Sequence, residues 1–148
     1  MSDVNASTVI RYGNPVIECG SAQIRALSRQ LATVVTVSGT IGPANVERIT
    51  AFARRFILDD KPFVLDLSGI ESITAQAATL LTTVAADCDR AGVEWAVVDS
   101  EAVEVFLDCT GLASEVPVAD SVPDALEYFG EVTTRRRTML LPLLTRTA

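Results

Sequence analysis

FVLDLSGIESITAQAATLL, residues 63–81, is the most informative stretch of the chain. Phe63–Leu67 is apolar except for Asp66, which is typical of a central strand covered on both faces. Beyond Thr74 the apolar residues recur at helical spacing. The buried stripe predicted for this helix consists of Ala77, Leu80, Leu81, Val84, Ala85 and Cys88. The stretch therefore predicts a buried strand followed by a helix that packs back on the sheet.

The segment before this unit predicts another strand and helix. Thr33–Val37 is β-branched throughout, and a turn is expected to end this strand at Ser38-Gly39. Pro43 suits the first turn of a helix, where its missing N–H costs nothing. The apolar residues at helical spacing in this segment are Val46, Ile49, Phe52, Ala53, Phe56 and Ile57.

The segment after the central unit continues the alternation. Gly92 is placed to end the second helix, because glycine tolerates positive φ. Trp95–Val98 predicts the next strand, Ser100 is a plausible N-cap for a third helix, and Val116–Val118 suits a short edge strand. A fourth helix is expected to begin at Pro123. The order predicts an α/β fold: a mixed, mainly parallel sheet with about four helices packed on it.

The two ends of the chain differ from this central part. Residues 1–14 are polar and are expected to form a flexible leader, residues 15–129 the domain, and residues 130–148 a basic, leucine-rich tail. Near the start of the domain, Val16–Cys19 is an edge strand or part of the leader, and Ile24–Leu31 is a strand or a helical turn.

The tail places a basic cluster beside apolar residues. Arg135–Arg137 precedes Met139–Leu144. The leucines are expected to pack on the domain or across a homodimer, because exposed apolar patches usually mark an interface. Contact with an anionic membrane is the less favoured alternative.

Composition excludes several classes of protein. The 148 residues suit one domain, and 49% of them are apolar, enough for one core. The formal charge of −7, from 19 acidic and 12 basic residues, disfavours nucleic-acid binding. The sequence contains no apolar run of about 20 residues, the length that spans a bilayer, and no secretory signal pattern. We therefore expect a cytoplasmic protein.

The absence of histidine narrows the function further. It removes the commonest general base, the commonest transition-metal ligand and every Ser–His or Cys–His pairing. No GxxxxGK[ST] phosphate loop and no metal-ligand spacing occur. The acid pairs Asp59-Asp60 and Asp87/Asp89 are interpreted as solvated helix ends. The sequence therefore predicts a protein that is not an enzyme and needs neither metal nor cofactor.

Three cysteines, Cys19, Cys88 and Cys109, are too few and too scattered for a disulfide framework. Cys88 lies on the apolar stripe of the second helix and is interpreted as a core residue. Cys109 is expected to be more accessible, and a redox pair of Cys88 with Cys109 is the alternative. The Asp66 carboxylate is expected to bond a neighbouring loop, since buried acids need partners.

Four blocks of the sequence together resemble a known family. They are VVTVSGTIGPANVERI (34–49), FVLDLSGIESITAQAATLL (63–81), AGVEWAVVDSEAVEVFLDCTGL (91–112) and VPDALEYF (122–129). In this order they resemble the successive blocks of a STAS domain of the anti-sigma factor antagonist family, over residues 33–129. The resemblance implies a bacterial regulator of transcription and signal transduction. Such a protein binds an anti-sigma factor that is also a serine kinase, or a related kinase-fold partner, and so frees a sigma factor.

The phosphorylation motif of that family is altered here. In the family, phosphorylation of a serine in Asp-Ser-(Ser/Thr)-Gly, at the start of the second helix, breaks the complex. Aligned through LDLSGIESI, this chain has Thr74, Ala75, Gln76 and Ala77 instead. Ala75 stands at the phosphoacceptor position and has no oxygen. Thr74 is expected to cap the helix through its hydroxyl and is the possible substitute phosphosite.

A second family block, strand–Gly–Glu–apolar–Asp, reads Gly39-Thr40-Ile41-Gly42 here, so its acids are missing. The resemblance implies a partner-binding surface, which consists of Thr40, Gly42, Thr74, Ala75 and Gln76. Two alternative functions are compatible with the same fold. One is a homo-oligomeric signalling scaffold joined by the C-terminal tail. The other is a STAS module associated with lipid or small-molecule transport.

Overall fold

The computed structural model describes residues 16–132. Within this range six strands form one sheet, in the order β1-β2-β3-β4-β5-β6. They are β1 (Val16–Cys19), β2 (Ala22–Ser28), β3 (Thr33–Ile41), β4 (Phe63–Ile73), β5 (Trp95–Val98) and β6 (Val118–Ala119). The β1–β2 and β2–β3 pairs are antiparallel, and the pairs from β3 to β6 are parallel. The predicted mixed sheet is confirmed.

A helix follows each of the parallel strands, and the first three of these helices connect the successive parallel neighbours. The helices are α1 (Val46–Arg54), α2 (Ala78–Ala91), α3 (Glu101–Thr110) and α4 (122–132, up to the last described residue). Single 3₁₀ turns precede α2 at Ala75–Ala77 and follow α3 at Leu112–Ser114. The expected number of about four helices is confirmed for the described residues. The predicted leader and residues 133–148 of the predicted tail lie outside them.

The sheet separates two apolar clusters, because neighbouring residues of a strand point to opposite faces. Val35 and Leu65 join the larger cluster, with the buried faces of α1, α2 and α3. Val34 and Val64 join the smaller cluster on the other face, where α4 contributes Ala125 and Phe129. Burial of β4 on both faces is the reason that its first five residues are almost wholly apolar.

Most of the predicted helix ends are confirmed. The Ser100 side chain accepts a hydrogen bond from the Val103 N–H at the start of α3. Gly92 ends α2 in the left-handed region, at φ 71°. Along α2 the predicted stripe is buried, with Ala85 only half-buried. Helix α1 is shorter than its apolar pattern, so Phe56 and Ile57 pack on the core from beyond its end.

The predicted turn at Ser38-Gly39 is wrong, because β3 continues through it to Ile41. Gly39 has φ +98° and pairs with Ala22 of β2 and Ile70 of β4. The ladder to β4 shifts register on both sides of Gly39, so glycine here forms an irregularity within the strand. The upstream segments left open by the sequence are the antiparallel strands β1 and β2.

The interpretation of Asp87 as a solvated residue is also wrong. Its side chain is only 12% exposed and forms ion pairs with Arg54 of α1 and with Arg90. The Arg54 Nε lies 2.7 Å from Asp87 Oδ2. A bidentate contact of this kind fixes the orientation of α1 against α2.

Candidate functional site

The residues predicted for partner binding lie together at the carboxyl ends of β3 and β4. In the parallel register Thr40 pairs with Ser72 and Ile41 with Ile73. The Thr74 N–H then donates to the Ile41 carbonyl at 3.0 Å. A Cβ placed on Gly42 would lie 3.7 Å from Thr74 Oγ1, so the two residues are neighbours. We call the group Thr40, Gly42, Thr74, Ala75 and Gln76 the carboxyl-edge surface.

Ala75 and Gln76 are the exposed part of this surface. They belong to the 3₁₀ turn that joins β4 to α2, where the Ala77 N–H donates to the Thr74 carbonyl at 2.9 Å. The Gln76 carbonyl accepts a hydrogen bond from the Thr79 hydroxyl. The turn therefore presents a methyl group and an amide side chain, with no hydroxyl at position 75.

The Thr74 hydroxyl does not cap the helix, so that prediction is wrong. Thr74 has the extended backbone of an N-cap residue, but its side chain makes no cap hydrogen bond. Its Oγ1 is buried, without a hydrogen-bond partner among the residues that the structure describes. A buried oxygen is inaccessible to a kinase. In this conformation the geometry gives no support to Thr74 as a substitute phosphosite.

Asn45 organises the loop beneath the carboxyl-edge surface, a role that no pattern in the sequence indicates. It is 4% exposed and precedes α1. Its Oδ1 accepts from the Gly42 N–H at 2.9 Å. Its Nδ2 donates to the carbonyls of Cys19, at 2.8 Å, and Thr40, at 2.9 Å. The Asn45 amide thus connects three parts of the chain: β1, the end of β3 and the loop that leads to α1.

Helix α3 extends the surface on the other side of β4. The Ser100 hydroxyl donates to the Ile70 carbonyl at 2.8 Å and so attaches the start of α3 to β4. An open depression of about 600 Å³ lies between them. Its lining consists of Ile70, Glu71, Ser72, Ile73, Ser100, Glu101, Ala102 and Val105. This α3 depression has two acids and no basic side chain, and its most exposed large apolar residue is Val105, at 56%.

Asp66 finds its hydrogen-bond partners within the sheet, on β4 itself and on β3, so the prediction that it bonds a neighbouring loop is wrong. Its Oδ1 accepts from the N–H of Ser68, at 3.0 Å, and from the Ser68 hydroxyl, at 2.7 Å. The other oxygen lies 3.4 Å from the Thr36 hydroxyl. These contacts satisfy the carboxylate within the sheet, so Asp66 has a structural role.

Cys88 is a core residue, as predicted, and it is fully buried. Burial, with a smaller contribution from Asp87, raises the pKa of the Cys88 thiol to about 12. Cys109 is exposed, and both cysteines are free thiols. Because redox chemistry needs an accessible thiolate, the structure does not support the predicted redox pair of Cys88 with Cys109.

No group of three or more potential metal-ligating side chains occurs between residues 16 and 132. None of the helices in that range has the length and apolar character that a bilayer crossing requires. The geometry defines an α/β domain whose predicted partner-binding residues lie together at the carboxyl ends of β3 and β4.

The comparisons with known proteins identify the family. The model of the STAS domain matches residues 23–125. Osmosensory protein A of Mycobacterium tuberculosis is 43% identical over 146 residues, which cover 96% of this chain and 92% of that protein. The chain therefore belongs to the STAS domain family. The resemblance seen in the sequence is confirmed, and the match includes all of β2 except Ala22, a strand that the four sequence blocks did not contain.

Solved structures share the fold. An anti-sigma factor antagonist from Mycobacterium paratuberculosis has a TM-score of 0.64 and 24% identity, over 74% of this chain and 94% of that one. The anti-sigma factor antagonist SpoIIAA in its unphosphorylated form has a TM-score of 0.59 and 12% identity, over 71% and 94%. SLC26A9 has a TM-score of 0.56 and 14% identity, over 93% of this chain and 28% of that one.

Proposed function

We propose that this chain is a non-enzymatic regulator of the anti-sigma factor antagonist type, which binds an anti-sigma factor or a related kinase-fold protein. Two named antagonists share its fold. The observation that carries the proposal is the exposed turn of Ala75 and Gln76 at the start of α2. This turn lies at the position where the family's phosphorylation motif aligns. The proposal places the chain in the cytoplasm, where sigma factors act.

The proposed regulator lacks the usual phosphorylation control. A phosphate adds a charge of about −1.5 to −2, which breaks contacts on a docking surface that already carries acids. Ala75 has no oxygen to accept it. Glu71 and Glu101 line the neighbouring α3 depression, so the partner is expected to present cationic and apolar side chains there. Release of the partner must then be controlled in another way.

The experiment is an affinity capture from the native host with the intact chain and the Ala75→Glu variant. The intact chain should capture an anti-sigma or kinase-fold protein, identified by mass spectrometry. The variant should capture about tenfold less, because it adds a charge at the contact. The matched control is Ala113→Glu, an exposed alanine in the 3₁₀ turn after α3. Equal capture by the intact chain and Ala75→Glu, or no such partner, would overturn the proposal.

The name of the 43% identical relative suggests the signal. Osmosensory protein A is named for osmotic sensing, and we extend that input to this chain. Capture from host cells grown with and without added osmolyte should then recover different amounts of partner. Equal recovery would contradict an osmotic input and would leave the partner-binding proposal to the capture experiment. The scaffold and transport-associated alternatives stay predictions, because residues 133–148 lie outside the described part.

A further inference from the structure

A groove lies between the edge strand β6 and α4. Its lining shares no residue with the carboxyl-edge surface. Its cavity volume is about 580 Å³, within the roughly 300–1,000 Å³ typical of ligand pockets. Six of its lining residues define what we call the β6–α4 groove: Trp95, Val118, Asp120, Asp124, Ala125 and Tyr128. Val118 is 43% exposed and Tyr128 is 52% exposed. Both are large apolar surfaces that the described residues leave uncovered.

Acidic side chains border this apolar groove. Asp120 and Asp124 are exposed and form no ion pair with any residue between 16 and 132. Glu94 also belongs to the lining, which contains neither lysine nor arginine. The chemistry that fits such a groove is a peptide that combines apolar side chains with a cationic cluster.

The chain itself carries a segment of that composition shortly after the described residues of α4. Arg135–Arg137 is followed by Met139–Leu144, in which every residue except Pro142 is methionine or leucine. Val132, the last described residue, lines a smaller cavity together with Glu94, and Glu94 also lines the groove. The last described residue of α4 therefore lies beside one end of the groove. Residues 133–138 can span up to about 20 Å when extended.

We infer that the β6–α4 groove is the docking site for residues 135–144 of the same chain. The arginines contact Asp120 and Asp124, and the leucines cover Val118 and Tyr128. A short tether gives the tail a millimolar effective concentration, which favours its own groove over that of a second copy. The inference is independent of the proposed partner binding, because the groove and the carboxyl-edge surface share no residue.

Trp95 makes the inference measurable, because it is the only tryptophan of the chain and borders the groove, with a half-buried side chain that packs against the larger cluster. The full-length protein is compared with two full-length variants. One is Arg135→Glu/Arg136→Glu/Arg137→Glu, and the other is Leu140→Ser/Leu141→Ser/Leu143→Ser/Leu144→Ser. Docking predicts a red shift of the Trp95 emission and stronger quenching by acrylamide in both variants. Unchanged emission and quenching in both would overturn the inference.

A charge exchange separates docking from misfolding. Asp120→Lys/Asp124→Lys should red-shift the emission, and combining it with the three Arg→Glu changes should restore the original spectrum. The matched control is Asp108→Lys, which reverses an exposed acid on α3, on the other face of the sheet. If the combined variant is not restored, the ionic contact is refuted. Light scattering is the last measurement. A monomer agrees with docking of the tail within one chain. A dimer whose Trp95 emission depends on protein concentration contradicts it.

Discussion

At the scale of single residues, the Asn45 amide determines how the carboxyl-edge surface is held. Its three hydrogen bonds satisfy groups from β1, β3 and the loop at Gly42, all from a side chain that is almost fully buried. Both Nδ2 protons face carbonyl oxygens, so the site requires a donor at that position. A carboxylate has the same shape but offers only acceptors.

The Asn45→Asp variant tests this requirement. We expect it to lower the free energy of unfolding by about 3 kcal/mol at neutral pH, because a buried carboxylate would face two carbonyls. Burial would raise the pKa of the new carboxyl group, so its stabilising protonated form is present at low pH and is lost as pH rises. The loss should therefore be smaller at about pH 4 than at about pH 7. Urea unfolding at both pH values measures it, and an equal loss would contradict the assigned bonds.

Cys88 gives a second prediction at this scale. Its pKa is raised from the ordinary 9.0 to about 12, so the folded state favours the neutral thiol. The stabilisation is complete below pH 9 and is lost as pH rises through 12, because the unfolded chain ionises first. The free energy of unfolding should fall more steeply between about pH 8 and about pH 10 in Cys109→Ala than in Cys88→Ala. An equal pH dependence of the unfolding free energy in the two variants would contradict the buried environment of the Cys88 thiol. A Cys88–Cys109 disulfide on a non-reducing gel would contradict it as well.

Thr74, Ala75, Ser100 and Asn45 show which features of the site can be predicted from the sequence alone. The strand–helix pattern placed Thr74 and Ala75 at the start of α2, and Ser100 at the start of α3, because these signals are local. It could not show that the Thr74 hydroxyl points inward, since its neighbours Ile41 and Gly42 come from the end of β3 and the loop after it. Asn45 was missed for the same reason: its partner Cys19 is 26 residues away, and no local pattern announces such a bond.

At the scale of elements, β3 shows tertiary pairing overriding a local turn signal. Ser38-Gly39 is a sound turn dipeptide, but β2 and β4 supply partners on both sides, and the strand continues. Glycine is needed because its φ is +98° and a Cβ there would lie 2.4 Å from the Ser21 carbonyl oxygen. This extension carries β3 to Thr40 and so places the carboxyl-edge surface.

Gly39→Ala is therefore expected to destabilise the protein by about 2–4 kcal/mol, from the strained φ and the clash with backbone. Gly92→Ala is the matched control. Gly92 has φ +71°, but a Cβ there would meet nothing within 4 Å, so only the conformational cost of about 1 kcal/mol applies. Thermal unfolding of both variants measures the difference. Equal losses of stability in Gly39→Ala and Gly92→Ala would show that the nearby Ser21 carbonyl oxygen does not restrict the side chain at position 39.

At the scale of the whole molecule, the sequence predicted the number of helices but not their distribution. The faces of β3, β4 and β5 that α4 covers are as apolar as those facing α1–α3, so the pattern cannot tell which helix packs where. Because α1–α3 pack on one face of the sheet and α4 on the other, the carboxyl ends of the parallel strands stay uncovered beside α2 and α3. Glu71 and Glu101 of the α3 depression, in a chain of formal charge −7, make this edge of the sheet acidic, which suits the docking role proposed for it.

Partner binding should consequently depend on salt. We expect the affinity for the captured partner to fall by about tenfold when the salt concentration rises from about 0.05 M to about 0.5 M, because screening shortens the reach of the surface charges. Calorimetric titration at both concentrations measures this. Glu71→Lys/Glu101→Lys should weaken binding and flatten the salt dependence, whereas Glu47→Lys, an exposed acid on α1, should change neither. Salt-independent binding would show that the partner recognises the apolar surface at Val105 and Ile73, without the acids that border it.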